Sequence, residues 1–195
     1  MRELSLHILD VVENGITAGA GRIEIRVEES RPADRLSIAV RDNGRGMPPE
    51  KAGNPEDPFI TSRTTRRVGL GLSLLAAAAR RCEGDLSVAA APGRGTEVRA
   101  HFRHSHIDRA PLGDMAGTLS MLILGNPHID FVYAHTVDGE ELTLDTRELI
   151  DGGADLRDPG TLRQLERWIR DTLERMHRPP GASGTEESTH AETDD

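Results

Sequence analysis

Two neighbouring segments of the chain alternate between apolar and polar or small residues, and this alternation constrains the fold most. Because successive side chains of a strand point to opposite faces of a sheet, each segment predicts a strand with one apolar face. Pro32 lies between the segments and indicates a turn that joins the two strands. The apolar positions are Ile23, Ile25, Val27, Leu36, Ile38 and Val40.

Apolar residues at helical spacing predict the elements that cover this sheet. A first helix is predicted from Leu4 to Ile16, and the glycines after it indicate its end. A second helix runs from 69–72 to Cys82, and paired strands follow at 86–90 and 96–102. The order helix, strand, strand, loop, helix, hairpin predicts an α/β fold, a two-layer sandwich of a mixed β-sheet with helices on one face.

The chain divides into three parts. Residues 1–104 hold the sandwich, and residues 105–177 predict a small α+β lobe. The lobe contains a helix capped by Asp114, a β-hairpin across Asp138-Gly139 and a final amphipathic helix. Residues 178–195 are rich in Pro, Gly, Ser, Thr and Glu and predict a disordered tail. The apolar side of the final helix is expected to carry Leu162, Leu165, Trp168, Ile169, Leu173 and Met176.

Charge and composition argue against several classes of protein. The formal net charge of −9 disfavours nucleic-acid binding, which draws its affinity from a basic face. No apolar run approaches the roughly 20 residues that span a bilayer, and the first residues lack the pattern of a signal peptide. A cytoplasmic protein is therefore expected. The single cysteine, Cys82, has no partner for a disulfide or a zinc site and is expected to be a buried thiol.

Four polar residues of the first helix share one face. His7, Asp10, Asn14 and Thr17 are spaced three, four and three residues apart on a helix that is otherwise apolar. One interpretation is that this stripe faces solvent. The other is that it faces a polar ligand.

Two glycine-rich segments could surround such a ligand. In Asp42-Asn43-Gly44-Arg45-Gly46, glycines permit close approach of the backbone, and the carboxylate could accept a hydrogen bond from an exocyclic amine. In Gly69-Leu70-Gly71-Leu72, free N–H groups at a helix start attract phosphate. The long loop between the two segments predicts a lid with a basic anion site at Arg63, Arg66 and Arg67. Taken alone, each glycine segment could also be an ordinary turn.

Together and in this order, the segments resemble the GHKL ATPases and kinases, a group that includes gyrase-type and MutL-type ATPases, histidine kinases and anti-sigma-factor serine kinases. The resemblance covers residues 1–103 and implies the Bergerat, histidine kinase-like fold with ATP and Mg²⁺ as ligands. It implies that Asn14 ligates Mg²⁺ and that Asp42 recognises the adenine amine. The implied ATP-binding residues are Asn14, Asp42, Gly44, Gly46, Thr61, Ser62, Arg63, Arg67, Gly69, Leu70, Gly71 and Thr96.

The resemblance leaves the chemistry open at Asp10. The resemblance implies a glutamate four residues before the asparagine, which acts as the general base in hydrolysing and serine-kinase members. Here it is Asp10, which is one methylene shorter, and Glu13 is an alternative carboxylate. Few residues precede the first helix, so a hairpin bearing a phospho-accepting histidine is not expected, and His7 lacks the acidic neighbour of such an acceptor.

Two hypotheses about function follow. The first is an enzyme, a stand-alone ATP-dependent protein kinase acting on a Ser or His of a partner, or an ATPase. The second is a nucleotide-sensing module that docks a protein partner through the region around Trp168. The segment after Ser105 resembles an extension on small ATP-binding proteins associated with iron-hydrogenase-type redox systems, although no cysteine pattern could hold an iron–sulfur cluster. The partner stays open, and a second copy of the chain is among the candidates.

Overall fold

The structure is a computed structural model, and it describes residues 3–46 and 70–178. The helices of these ranges are α1 (Leu4–Thr17), α2 (Leu70–Arg81), α3 (Met115–Gly125), α4 (Thr146–Asp151) and α5 (Pro159–His177). The strands are β1 (Arg22–Ser30), β2 (Arg35–Asp42), β3 (Leu86–Ala91), β4 (Gly95–Arg103), β5 (Asp130–Val137) and β6 (Glu140–Asp145). The proposed lid and the tail beyond Arg178 lie outside the described residues.

One mixed sheet organises these elements. Its six strands lie in the order β3-β4-β2-β1-β5-β6. The pair β1 and β5 is parallel, and the other four pairs are antiparallel. Ile23 pairs with Asp42, so the start of β1 lies beside the end of β2. The α/β fold with a mixed sheet is therefore confirmed.

The apolar face of the central strands is buried, as the alternation predicts. Ile23, Ile25 and Leu36 are fully buried, and α1 and α2 pack against this side of the sheet. Burial of each such side chain contributes about 1.5 to 3 kcal/mol to the free energy of folding. The opposite side carries charged residues such as Glu24, Arg26 and Arg99.

The segment after residue 104 extends the same sheet, which differs from the expected separate lobe. β5 pairs along the whole of β1 from Arg22 to Glu29, and β6 follows as an edge strand. Carbonyl groups of Pro111 and Leu112 accept hydrogen bonds from the first N–H groups of α1, at 3.0 and 2.7 Å. Helix α3 packs against α1 and α5. The physical reason is that β1 would otherwise leave a row of backbone groups unpaired.

Most local predictions for this segment are confirmed. Asp114 caps α3 by accepting a hydrogen bond from the Gly117 N–H at 3.0 Å. Asp138 and Gly139 have φ values of 48° and 95°, the two left-handed residues that a type I′ hairpin turn requires. The short helix α4 was not expected from the sequence.

Cys82 is buried, and among the described helices none is long and apolar enough to span a membrane.

Trp168 is only partly covered on the apolar side of α5. Its side chain is 46% exposed, whereas Leu162, Ile169 and Met176 of the same helix are buried. The stripe that faces the core is narrower than the apolar pattern of the sequence, and it includes the buried Thr172. Trp168 therefore lies at the edge of the buried stripe of α5 and is partly accessible to solvent.

Candidate functional site

Asp42 lies at the end of β2 and directly against the backbone of α1. A side chain at Gly15 would place its Cβ 2.9 Å from the Cβ of Asp42, a distance that real side chains do not adopt. Glycine is thus required at position 15 for the helix to lie this close to the carboxylate. The neighbouring residue Asn14 is exposed on α1.

The carboxyl group of Asp42 is buried and is held by backbone N–H groups. Its Oδ1 accepts a hydrogen bond from the Gly44 N–H at 2.8 Å, and the backbone N–H of Thr96 also donates to the carboxyl. Burial raises the pKa of Asp42 above its ordinary value, and the two backbone hydrogen bonds only partly oppose this effect. A carboxylate has about four acceptor positions, so acceptor capacity remains for a ligand.

The turn after β2 is fixed on three sides. The side-chain oxygen of Asn43 accepts hydrogen bonds from the N–H groups of Gly21 and Arg22, at 2.8 and 2.9 Å. The Arg45 N–H donates to the carbonyl of Ala18 at 3.0 Å, and the carbonyl of Arg45 accepts from Gly93 at 2.8 Å. These bonds attach the turn to the end of α1 and to the β3–β4 hairpin.

Two glycines with positive φ allow the turn after β2 and the β3–β4 hairpin to pack in direct contact. Gly46 has a φ of 64°, and a Cβ there would lie 2.0 Å from the carbonyl oxygen of Ala91. Gly95 has a φ of 79°, and its Cβ would lie 1.8 Å from the carbonyl oxygen of Asp42. Any other residue at either position would push the β3–β4 hairpin away from the end of β2 and its turn, because the neighbouring atoms belong to the backbone.

The start of α2 lies against Asp10. A Cβ at Gly71 would be 3.0 Å from the Cβ of Asp10 and 3.2 Å from its Oδ2. Asp10 is partly buried and is one helical turn before Asn14, so both side-chain oxygens lie on one side of α1. His7, one turn earlier, is buried, and burial lowers its pKa.

The structure therefore brings together most of the described site residues, at one end of the sheet. Leu70 and Gly71 begin α2, and Gly44 and Thr96 contact Asp42. Thr61, Ser62, Arg63, Arg67 and Gly69 lie outside the described residues. The contacts of Gly15 and Gly95 with Asp42 are not predicted by any motif of the sequence. A glycine in the last turn of an apolar helix, before the helix ends, is a signal that could have identified Gly15.

The arrangement offers two kinds of binding group. Asp42 can accept a hydrogen bond from an amine, and the glycines at 15 and 44 let α1 and the turn after β2 pack closely around its carboxyl. Asp10 and Asn14 offer oxygen atoms close to the start of α2, where N–H groups favour an anion. A ligand with an amino group and an anionic group would satisfy both.

Comparison with known proteins agrees with this description. Residues 2–106 match the family model described as histidine kinase-, DNA gyrase B- and HSP90-like ATPase. The sensor protein kinase FleS of Pseudomonas aeruginosa is 40% identical over 89 residues, which are 46% of this chain and 22% of FleS. The alginate biosynthesis sensor protein KinB of the same species is 32% identical over 87 residues, 44% of this chain and 15% of KinB. The chain thus spans less than a quarter of the length of these relatives.

A solved structure shares the fold. The crystal structure of the N-terminal domain of a DNA repair protein matches with a TM-score of 0.51 and 20% identity, over 74% of this chain and 53% of that chain. At this level of identity, the likeness concerns the fold alone.

Proposed function

Because this chain belongs to the family of histidine kinase-, DNA gyrase B- and HSP90-like ATPases, we propose that it binds ATP with Mg²⁺ between α1, the turn after β2 and the start of α2. The observation that supports this most is the buried Asp42 carboxyl, packed under Gly15 and oriented by the Gly44 N–H. The carboxylate would accept a hydrogen bond from the adenine amine. The adenine ring would lie beside this carboxyl.

The residues at the other part of the site fit Mg²⁺. Mg²⁺ prefers oxygen ligands and keeps several waters, so few protein ligands are needed. Asn14 presents an exposed side-chain carbonyl, and Asp10 lies one turn away on the same side of α1. Asn14 would hold the ion, which when bound supplies positive charge to the triphosphate.

Asp10 is the proposed catalytic residue. Its carboxylate lies against Gly71, at the start of the helix whose N–H groups favour phosphate. In that place it would accept the proton of the attacking group, either a water or a side chain of a protein partner. The relative named as a sensor protein kinase supports transfer to a protein, and the acceptor proposed for this chain is a Ser or His of a partner.

The test is ATP binding and turnover by the purified protein, with and without Mg²⁺. We expect Asn14→Ala to weaken binding only when Mg²⁺ is present. Asp10→Ala should retain ATP affinity within about threefold and lower turnover by about 100-fold or more, the contribution typical of a general base. Equal turnover in wild type and Asp10→Ala would contradict the catalytic role.

A second candidate is a nucleotide-sensing module without turnover. Two observations favour it. Asp10 is one methylene shorter than the glutamate general base that the resemblance implies at this position. Trp168 on α5 exposes 46% of its surface. An exposed tryptophan is a frequent anchor of protein interfaces. In this case a partner protein would be captured differently with ATP and with ADP, while hydrolysis stays at the background rate.

The two candidates separate in one pair of variants. Trp168→Ala should leave ATP turnover unchanged and abolish nucleotide-dependent capture if the module is correct. If the chain is an enzyme, Asp10→Ala should abolish ATP turnover and leave nucleotide-dependent capture unchanged. ATP binding without turnover in wild type would favour the module and exclude an ATPase, and absence of phosphate transfer to a captured partner would exclude a kinase.

A further inference from the structure

Three side chains from distant parts of the sequence meet in a second polar group, the Glu29 cluster, which consists of Glu29, His135 and His177. Oε1 of Glu29 lies 2.8 Å from Nε2 of His135 and 2.8 Å from Nε2 of His177. The three possible ligand atoms all lie within 4.8 Å of one another. Glu29 and His135 are buried on β1 and β5, and His177 lies in the last turn of α5.

The hydrogen bonds of His177 leave a lone pair directed at Glu29. Its Nδ1 lies 2.7 Å from the carbonyl oxygen of Leu173, and because a carbonyl only accepts, Nδ1 carries a proton. In the neutral ring Nε2 is then an acceptor, and it faces a carboxylate oxygen, which is also an acceptor. Two acceptors at 2.8 Å require a proton between them, or must move apart to share a metal ion. The group that bridges them is therefore either a second proton on His177 or a metal ion.

His135 can adopt either role. Its Nδ1 lies 2.7 Å from the hydroxyl oxygen of Tyr133, a group that both donates and accepts. When the phenol donates, Nε2 of His135 carries the proton and donates to Glu29. When the phenol accepts, Nε2 has a free lone pair. Rotation of the hydroxyl hydrogen, together with transfer of the ring proton from Nε2 to Nδ1, thus converts His135 from a hydrogen-bond donor to Glu29 into a metal ligand, with the Tyr133 oxygen accepting from Nδ1.

The orientation of Glu29 is fixed by a further histidine. Nε2 of His104 lies 3.1 Å from Oε2 of Glu29. This contact occupies the second carboxylate oxygen and directs Oε1 toward the other two histidines. His104 therefore positions the ligand atom without belonging to the ligand set.

We propose that the Glu29 cluster binds a divalent transition-metal ion of the Zn²⁺ type, through Oε1 of Glu29 and Nε2 of His135 and His177. Two imidazoles and one carboxylate are a ligand set that suits Zn²⁺. Ligand atoms around a tetrahedral Zn²⁺ are about 3.4 Å apart, so each nitrogen and the oxygen move apart by about 0.6 Å on binding. The side chain of His177 is 42% exposed, which permits this movement and leaves a fourth position for water.

The bound ion would connect three elements that are far apart in sequence. It would join the last turn of α5 to β1 and β5 in the sheet interior. Glu29 lies six residues after Ile23, the partner of Asp42, so the cluster is roughly 20 Å from the nucleotide end of the sheet. The proposal is therefore independent of ATP binding.

The experiment uses the full chain without an affinity tag, treated with a chelator and then dialysed. Zn²⁺ is titrated by calorimetry, and Co²⁺ serves as a spectroscopic probe of coordination. We expect one Zn²⁺ per chain, visible absorption bands of four-coordinate Co²⁺, and a melting temperature raised by about 5 °C or more at saturating Zn²⁺. Mg²⁺ should give none of these signals, because it avoids nitrogen ligands.

A matched pair of variants decides the assignment. His177→Gln removes one ligand from a partly exposed position and should weaken Zn²⁺ affinity by about 100-fold or more and abolish the Co²⁺ bands. His128→Gln removes an exposed histidine outside the cluster and should bind as wild type does. Circular dichroism confirms that both variants are folded. No saturable Zn²⁺ binding in wild type, or equal affinity in the two variants, would overturn the metal site and leave a proton between His177 and Glu29.

Discussion

The two ends of the sheet each bury one carboxyl group on the same face, but the groups that donate hydrogen bonds to these carboxyls differ. At one end, Asp42 is surrounded by glycines and receives hydrogen bonds from backbone N–H groups. At the other end, Glu29 receives hydrogen bonds from histidine side chains. The first carboxyl is held by the main chain, and the second by side chains.

The difference appears in the acidity of the two groups. Burial raises the pKa of Asp42, since its backbone partners only partly offset the loss of water. Burial acts in the same direction on Glu29, but hydrogen bonds from His135 and His177 outweigh it and hold the pKa of Glu29 well below its ordinary value. A carboxyl without a charged partner retains capacity for a hydrogen-bond donor such as an amine. A carboxyl paired with histidines strengthens the fold and would also hold the proposed metal ion.

The largest effect is expected for the backbone contact that supports Asp42. Gly95→Ala places a Cβ against the carbonyl of Asp42 and adopts a left-handed φ, and should lower the free energy of unfolding by about 3 kcal/mol or more. Gly93→Ala, in the same turn, has a similar φ of 72° but open space and should cost only about 1 kcal/mol. Urea denaturation measures both. Equal costs would show that the close approach of the main chain is unimportant.

The next largest effect concerns the ligand. Asp42→Asn retains the shape of the side chain but loses the charge-assisted hydrogen bond to the adenine amine, and should weaken ATP binding by about 100-fold. Glu28→Gln, an exposed acid on the opposite face of the sheet, is the matched control and should bind normally. Calorimetric titration with ATP gives both affinities. Unchanged affinity in Asp42→Asn would refute the assignment of this end as the nucleotide site.

A smaller effect should appear at the Glu29 end, and in stability alone. Tyr133→Phe removes the hydroxyl that bonds to Nδ1 of the buried His135 and should lower the free energy of unfolding by about 1 to 2 kcal/mol. ATP affinity should not change. A loss of ATP affinity in this variant would mean that the Glu29 end and the nucleotide end of the sheet are coupled, which would contradict their independence.

The smallest effect is a dependence on pH. Because the folded state binds the proton of Asp42 more tightly than the unfolded chain does, the stability of the ligand-free protein falls as pH rises through the raised pKa. Asp42→Asn cannot titrate. The difference in unfolding free energy between Asp42→Asn and wild type should therefore shift in favour of the variant between about pH 4 and about pH 7. A difference that does not vary with pH would contradict the raised pKa.

Much of the fold could be predicted because its signals are local. The strands β1 and β2 follow from alternation, and α1 and the β5–β6 hairpin follow from periodicity and turn residues. The parallel pairing of β1 with β5 could not be predicted. It joins segments about 100 residues apart, and no pattern within either segment specifies its partner.

The sites show the same limit. Asn14 and Asp42 were identified because they stand in short motifs, whereas the contact of Asp10 with Gly71 needed three-dimensional structure. Glu29 had a detectable signal, since it continues the buried alternation of Ile25 and Val27 and is thus an acid at a core position. Its three histidine partners lie 75, 106 and 148 residues away in sequence, separations that no motif spans.

The pairing of β5 with β1 also decides where this protein can be cut. The family match ends at residue 106, which suggests a natural fragment, but such a fragment would expose the full length of β1 as an unprotected sheet edge. Exposed edges of this kind recruit strands from other molecules. The first turn of α1 would lose the carbonyl partners that Pro111 and Leu112 provide. A fragment ending at residue 106 would thus tend to aggregate, and the smallest well-behaved piece must extend through the final helix.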